Sequence, residues 1–261
     1  MGIQYGNLTL QGVDREQLID YLSQITRETY VTPIINNFIT VYDRAADGPD
    51  REDVAKLAKL DSKAKEIIDR YRDGSYFALA ILARHLSEVF SCPALAVCVY
   101  DGSYFWYHLC QNGKRIDEYT TCGNDDWRPG TGLNEILKSP QIKGGNSRII
   151  CSAFKKEMVI EEVEIIIRKP VGISDASSLS HLTDYEFLLQ VDAYSSPLER
   201  HEALARVLGM CPGFVLGLNY RAMDTGEFAE RWEDFRDPEN NNVPTAEEIE
   251  SIIIKTPKKI T

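Results

Sequence analysis

Apolar side chains recur along this chain with two spacings, and each switch between them marks a new element. Leu8 and Leu10 alternate with polar neighbours over residues 7–13, which predicts a short strand with one buried face. From Asp14 the spacing turns helical. Leu18, Ile19, Leu22 and Ile25 form one stripe, and Gln17 three residues after Asp14 completes a capping-box-like start. Residues 29–35 and 37–43 are rich in β-branched and aromatic side chains and read as a hairpin turned at Asn36-Asn37. Pro33 lacks an amide donor and confines the first of these strands to an edge or a break. Between residues 50 and 73, Val54, Leu57, Leu60, Ala64, Ile67 and Ile68 recur every three or four positions amid charge. This predicts an amphipathic surface helix interrupted near Asp61-Ser62. The following helix, 76–90, is far more apolar, with Phe77, Ala78, Ile81, Leu82, His85 and Val89 on one stripe.

Residues 92–122 then read as three antiparallel strands joined by tight turns at Asp101-Gly102 and Asn112-Gly113, dipeptides that accept the positive φ of a type I′ turn. Taking both as two-residue turns pairs Tyr100 with Ser103, Val97 with Trp106, His108 with Asp117 and Trp106 with Tyr119. One side of the meander then carries Ala94, Ala96 and Cys98 with Phe105, Tyr107, Leu109 and Ile116, and its small residues suit a closely packed helix. The other side carries Leu95, Val97 and Val99 with Tyr104, Trp106, His108, Asp117 and Tyr119. These last five form the candidate ligand or partner surface. The same set also suits a second core layer, because cross-strand aromatic and His/Asp pairs stabilise sheets by about 0.2–1 kcal/mol each.

After the meander, residues 123–145 are loop-rich, with a short helix expected at Leu133 to Leu137, and read as a linker. Residues 146–170 read as a helix followed by a strand ending in Ile165-Ile166-Ile167. Ser196, Pro197 and Glu199 start a further helix, and residues 214–220 read as a buried strand. Thr245 and Glu248 open a short terminal helix that would dock by its isoleucines. An apolar helix, Cys-Pro and an apolar run occur at 86–97 and again at 205–216, which suggests two related α/β halves. The expected architecture is α+β: an antiparallel sheet with a three-stranded meander at 94–122, covered on one face by helices. Its divisions are an N-terminal α/β domain (1–128), a C-terminal α/β half (146–236) and a polar tail (237–261).

Composition narrows the function classes. With 43% hydrophobic and 26% charged residues the chain is ordinary globular material, and no run approaches membrane-span length. No secretory signal is visible, and Gly6 stands where a myristoylation motif needs Ser or Thr, so the cytosol is expected. Forty acidic against 29 basic side chains give a net charge of −11, which disfavours a binder of nucleic-acid phosphates. The six cysteines, Cys92, Cys98, Cys110, Cys122, Cys151 and Cys211, form no CxxC pair and read as reduced thiols rather than zinc ligands. Gly130-Thr131-Gly132 and Gly144-Gly145 lack the spacing and lysine of a phosphate loop, and no cofactor is expected.

Two functions remain. The first is a non-catalytic binding or regulatory module of immunity or adaptor type, with a protein partner anchored on the aromatic face. The alternative is a small-molecule enzyme in which Asp117 orients His108 as general base, with Cys110 as nucleophile. Against the alternative stand Arg115, placed opposite Cys110, and the lack of an oxyanion-hole or glycine-elbow signature. The segments ALAILARHLSEVFSCPALAVCVYDGSYFWYHL and IDEY, and more faintly ERHEALARVLGMCPGFVLGLNY, resemble a group of bacterial proteins. That group shares an alanine-rich helix, a Cys-Pro-Ala strand, a Trp-Tyr strand and an Asp-Glu-Tyr strand. The resemblance spans about half the chain and implies a soluble bacterial protein. It implies no activity and carries over no functional residue, and the charged helix at 50–73 looks like an addition to the shared pattern.

Overall fold

A computed structural model describes residues 4–70, 76–100, 104–121, 143–168, 197–228, 232, 248 and 253–257. Among these, eight strands make one antiparallel sheet: β1 (Tyr5–Gln11), β2 (Thr29–Val31), β3 (Phe38–Asp43), β4 (Pro93–Tyr100), β5 (Tyr104–Gln111), β6 (Lys114–Thr120), β7 (Lys143–Gly144) and β8 (Ile254–Thr256). Their order is β7-β6-β5-β4-β1-β3-β2-β8. The α+β expectation therefore holds, and helices cover both faces.

The first face is built as the sequence predicts. Asp14 accepts the Gln17 amide at 2.9 Å to start α1 (Arg15–Gln24), whose Leu18, Ile19 and Leu22 are buried. Asn36 and Asn37 both take positive φ, which turns the chain back from β2 toward β3. The charged segment splits at Asp61 into α2 (Arg51–Leu60) and α3 (Ala64–Arg70). Asp61 causes the split, since its carboxylate accepts the Lys63 amide at 2.7 Å and restarts the helix. The apolar helix is α4 (Tyr76–Val89). Leu8, Leu10, Ala94, Ala96 and Cys98 of the sheet share one core with α1 and α4, and Leu57, Ala64 and Ile67 of α2 and α3 belong to it too. Sandwiched in this way, α4 is buried on more than one side, including Leu79, Ala80 and Ala83, which lie outside its predicted stripe.

The second face is covered by α5 (Ser147–Phe154), α6 (Ile160–Arg168) and α7 (Pro197–Leu208). Phe105, Tyr107, Leu109 and Tyr119 meet Ile150, Phe154, Val163, Ile167, Leu204 and Leu208 in a second core. Polar side chains of the central strands fasten this layer by its backbone. Asn7 Nδ2 donates to the Val215 carbonyl at 2.9 Å, and the Tyr42 hydroxyl donates to that of Phe214 at 2.6 Å.

Three expectations in this half are corrected. Residues 160–168 are helix α6, not strand: Ile160, Val163 and Ile167 fall at helical spacing, and packing against α5 and α7 overrides the β-branched run. Residues 214–220 do not form a strand. Pro212 at the first helical position opens the short α8 (Pro212–Val215), and Asn219 caps α9 (Tyr220–Asp224) through the Ala222 amide at 2.8 Å. Ile254 lies in β8, paired with Val31, rather than in a terminal helix. The helix predicted at Leu133 to Leu137 and the Asp101-Gly102 turn lie outside the described residues.

Candidate functional site

The Asn112-Gly113 turn forms as read, with φ of 50° and 71°, and it pairs Gln111 with Lys114 and Cys110 with Arg115. The turn is docked onto α4. Gly113 N donates to Ser87 Oγ at 3.0 Å, and Arg84 Nε donates to the Gly113 carbonyl at 2.8 Å. A Cβ at Gly113 would come within 3.0 Å of the Glu88 side chain, so glycine permits the close approach. Arg84 Nε also lies 3.2 Å from Asp61 Oδ2, tying the α2–α3 break to the hairpin tip.

Beyond the turn the predicted register fails twice. Tyr100 pairs with Tyr104, which leaves three residues between them instead of two, so even-numbered positions of β5 face even-numbered positions of β4. A β-bulge then interrupts the ladder: Cys110 pairs with Arg115 but Leu109 with Asp117, so Ile116 is the extra residue. The consequence for the five-residue patch is decisive. Tyr104, Trp106, His108 and Cys110 lie on the α4 side with Ala94, Ala96 and Cys98, while Asp117 and Tyr119 lie on the α5–α7 side with Phe105 and Tyr107. His108 does not meet Asp117, because its cross-strand partner is Glu118.

The predicted residues are instead buried, except Asp117, which is half-buried. Tyr104, Trp106 and Tyr119 are core. Asp117 Oδ2 accepts the Tyr107 hydroxyl at 2.8 Å and the Asn146 amide at 2.9 Å, joining β6 to the start of α5. Burial raises the Asp117 carboxyl above its ordinary range, against the lowering effect of those two hydrogen bonds. Cys110 is fully buried, and burial pushes its thiol up to about 12, far from the thiolate a nucleophile needs. The five described cysteines are free thiols, four of them buried.

The bulge builds a different constellation. In a regular strand, residues three apart point to opposite faces. The extra residue places Arg115 and Glu118 on the same side, where Arg115 Nη1 donates to Glu118 Oε2 at 2.6 Å. Arg70 Nη2 of α3 donates to the same oxygen at 2.8 Å, and Trp106 Nε1 donates to Oε1 at 3.3 Å. His108 Nδ1 stands 3.8 Å from Oε1, and its ring is stacked 5.7 Å from Trp106. Burial lowers the His108 pKa; Glu118 opposes that shift, while Arg115 and Arg70 add to it.

In front of this cluster lies a cavity of about 360 Å³ between α3, α4 and the β5–β6 hairpin. Its walls carry Lys63, Arg70, Arg84, Lys114 and Arg115 against Glu66, with His108 also lining it. Its volume falls in the range typical of small-ligand sites, about 300–1,000 Å³. The sequence reading missed the five cations because they come from three elements and looked like solvated charge. The pair Lys114-Arg115 directly after an Asn-Gly turn was the one local signal of a basic hairpin tip.

Among the described residues, no group of three or more His, Cys, Asp or Glu side chains is placed to share a metal ion. No helix among them is long and apolar enough to cross a membrane. Comparison with protein-family models, with curated proteins and with solved structures finds no match.

Proposed function

We propose that the chain is a non-catalytic binding module that recognises an anionic group in the cavity between α3, α4 and the β5–β6 hairpin. The observation that carries this reading is the charge of the walls: five cations surround a cavity of about 360 Å³ in a chain whose net charge is −11. Against an acidic background, such a patch focuses potential and draws in a negatively charged ligand. The catalytic alternative has no comparable support, since His108 and Asp117 point to opposite faces and Cys110 is sealed.

The test is calorimetric titration with inorganic pyrophosphate, on the native chain and on the Lys63→Glu/Lys114→Glu variant. Both lysines are exposed, so the double reversal leaves the core intact. Saturable binding by the native chain that disappears in the variant supports the reading. Absence of binding by the native chain, or equal binding by both, removes it.

A further inference from the structure

Resting on the anion-binding reading above, we infer that the cavity takes a phosphate-class dianion and that binding is coupled to uptake of a proton by His108. The ligand class follows from the donors of the site. Lys63, Arg70, Arg84, Lys114 and Arg115 bring guanidinium and ammonium groups to the cavity. Among the described residues, the carboxylates of Glu66 in the wall, Glu118 on Arg70 and Arg115, Asp61 on Arg84 and Glu88 against Gly113 stand among them. Guanidinium forks and ammonium groups are the usual partners of phosphate oxygens, and a dianion engages several of them at once where a single carboxylate engages few.

The proton coupling follows from the place of His108. It is the one titratable wall residue on the sheet strand β5, and its side chain is only 4% exposed. The charged groups around the cavity it lines come from each neighbouring element: Glu118 and Arg115 from β6, Asp61 and Lys63 from the turn before α3, Arg70 and Glu66 from α3, and Arg84 and Glu88 from α4. Without a bound anion, burial, Arg115 and Arg70 favour the neutral imidazole, while Glu118 favours the cation. A bound dianion offsets the arginines and adds attraction for the imidazolium. The bound state thus holds the proton at higher pH than the free state, so affinity rises as pH falls. Phosphate monoesters lose their own second proton near pH ~6, which would overlap this effect. Sulfate keeps both charges across the same range and isolates the contribution of the protein.

The experiment is isothermal titration with sulfate at about pH 8, 7 and 6 on the native chain and on His108→Gln, with acetate as the monoanion control. The expected result for the native chain is tighter sulfate binding at each step downward, by up to about tenfold per pH unit, the limit for one proton. His108→Gln should bind sulfate with a flat profile, and acetate should bind far more weakly. Because a core histidine variant can unfold, the imidazole resonances of His108 in the native chain provide a second readout. Their titration midpoint should move upward on adding sulfate. A flat sulfate profile with an unmoved midpoint overturns the coupling and leaves the anion site standing. Acetate binding as tightly as sulfate overturns the dianion class. Failure of both sulfate and pyrophosphate to bind removes this inference together with the function on which it rests.

Discussion

The two faces of the sheet bury their apolar side chains by different means. On the α4 side the central strands offer Ala94, Ala96 and Cys98, and a nearly uniform apolar helix lies against them. On the α5–α7 side they offer Phe105, Tyr107 and Tyr119, and polar groups go into the layer with the rings. Arg200 is wholly buried there and donates from Nη1 to the Tyr119 hydroxyl and, at 2.9 Å, to the Ile167 carbonyl. His201 is stacked on Tyr5 and Phe105 and hydrogen-bonds the Tyr5 hydroxyl through Nδ1 at 2.7 Å. On the first face Arg70, Arg84 and Arg115 line a cavity at the rim, whereas on the second Arg200 and His201 lie inside the layer as mortar.

Substitutions should register this contrast in order of size. Arg200→Ala opens a void in the second core and strips a donor from Tyr119 and Ile167. Chemical denaturation should show a loss of about 3–5 kcal/mol, with anion binding retained by the fraction that folds. Gly144→Ala comes next. Its φ is +73°, and an added Cβ would sit 2.0 Å from the Glu118 carbonyl oxygen, so β7 must separate from β6. A loss of about 2–3 kcal/mol is expected in the same measurement.

Acid should weaken the second face by a comparable amount. Burial holds the His201 pKa down to about 3. The fold therefore buries the neutral ring, and this contribution is complete above the unfolded value of about 6.5. As pH falls below that, the unfolded chain binds a proton that the folded chain refuses, and stability drops until the folded ring also titrates. Between about pH 7 and pH 5 the expected loss is about 2 kcal/mol. His85 and His108 are lowered by burial as well and act in the same direction. His201→Phe, which retains a stacking ring, should flatten the His201 part of a stability-versus-pH curve. The smallest effect belongs to the rim: Lys63→Glu/Lys114→Glu should change stability by no more than about 0.5 kcal/mol while abolishing pyrophosphate binding.

What could be read in advance was local. The Asp14 cap, the stripe of α1, the break at Asp61 and the Asn112-Gly113 turn each depend on a few adjacent residues, and each stands where expected. Facing residues across strands were a different problem, because one extra residue reverses the parity of everything beyond it. Two such residues intervene, one between Tyr100 and Tyr104 and one at Ile116, and the proposed aromatic patch was divided between the faces. In the same way, Ile165-Ile166-Ile167 has strand propensity but lies in α6, because its neighbours in space decide its state. The cavity could not be anticipated, since Lys63, Arg84 and Lys114 converge only after α3, α4 and the hairpin have packed together.

The outermost strands have a bearing on how copies of the molecule treat one another. A sheet of eight strands exposes two edges, and a long bare edge invites a neighbouring chain to add on and seed fibrils. Here one edge is the two-residue β7, where Gly144 and Gly145 both take positive φ. The other is the three-residue β8, which bears Lys255 and is followed at once by Pro257, a residue with no amide hydrogen to offer. Among the described residues, each outermost strand is too brief and too interrupted to serve by itself as a template, which disfavours amyloid-like addition at β7 and β8.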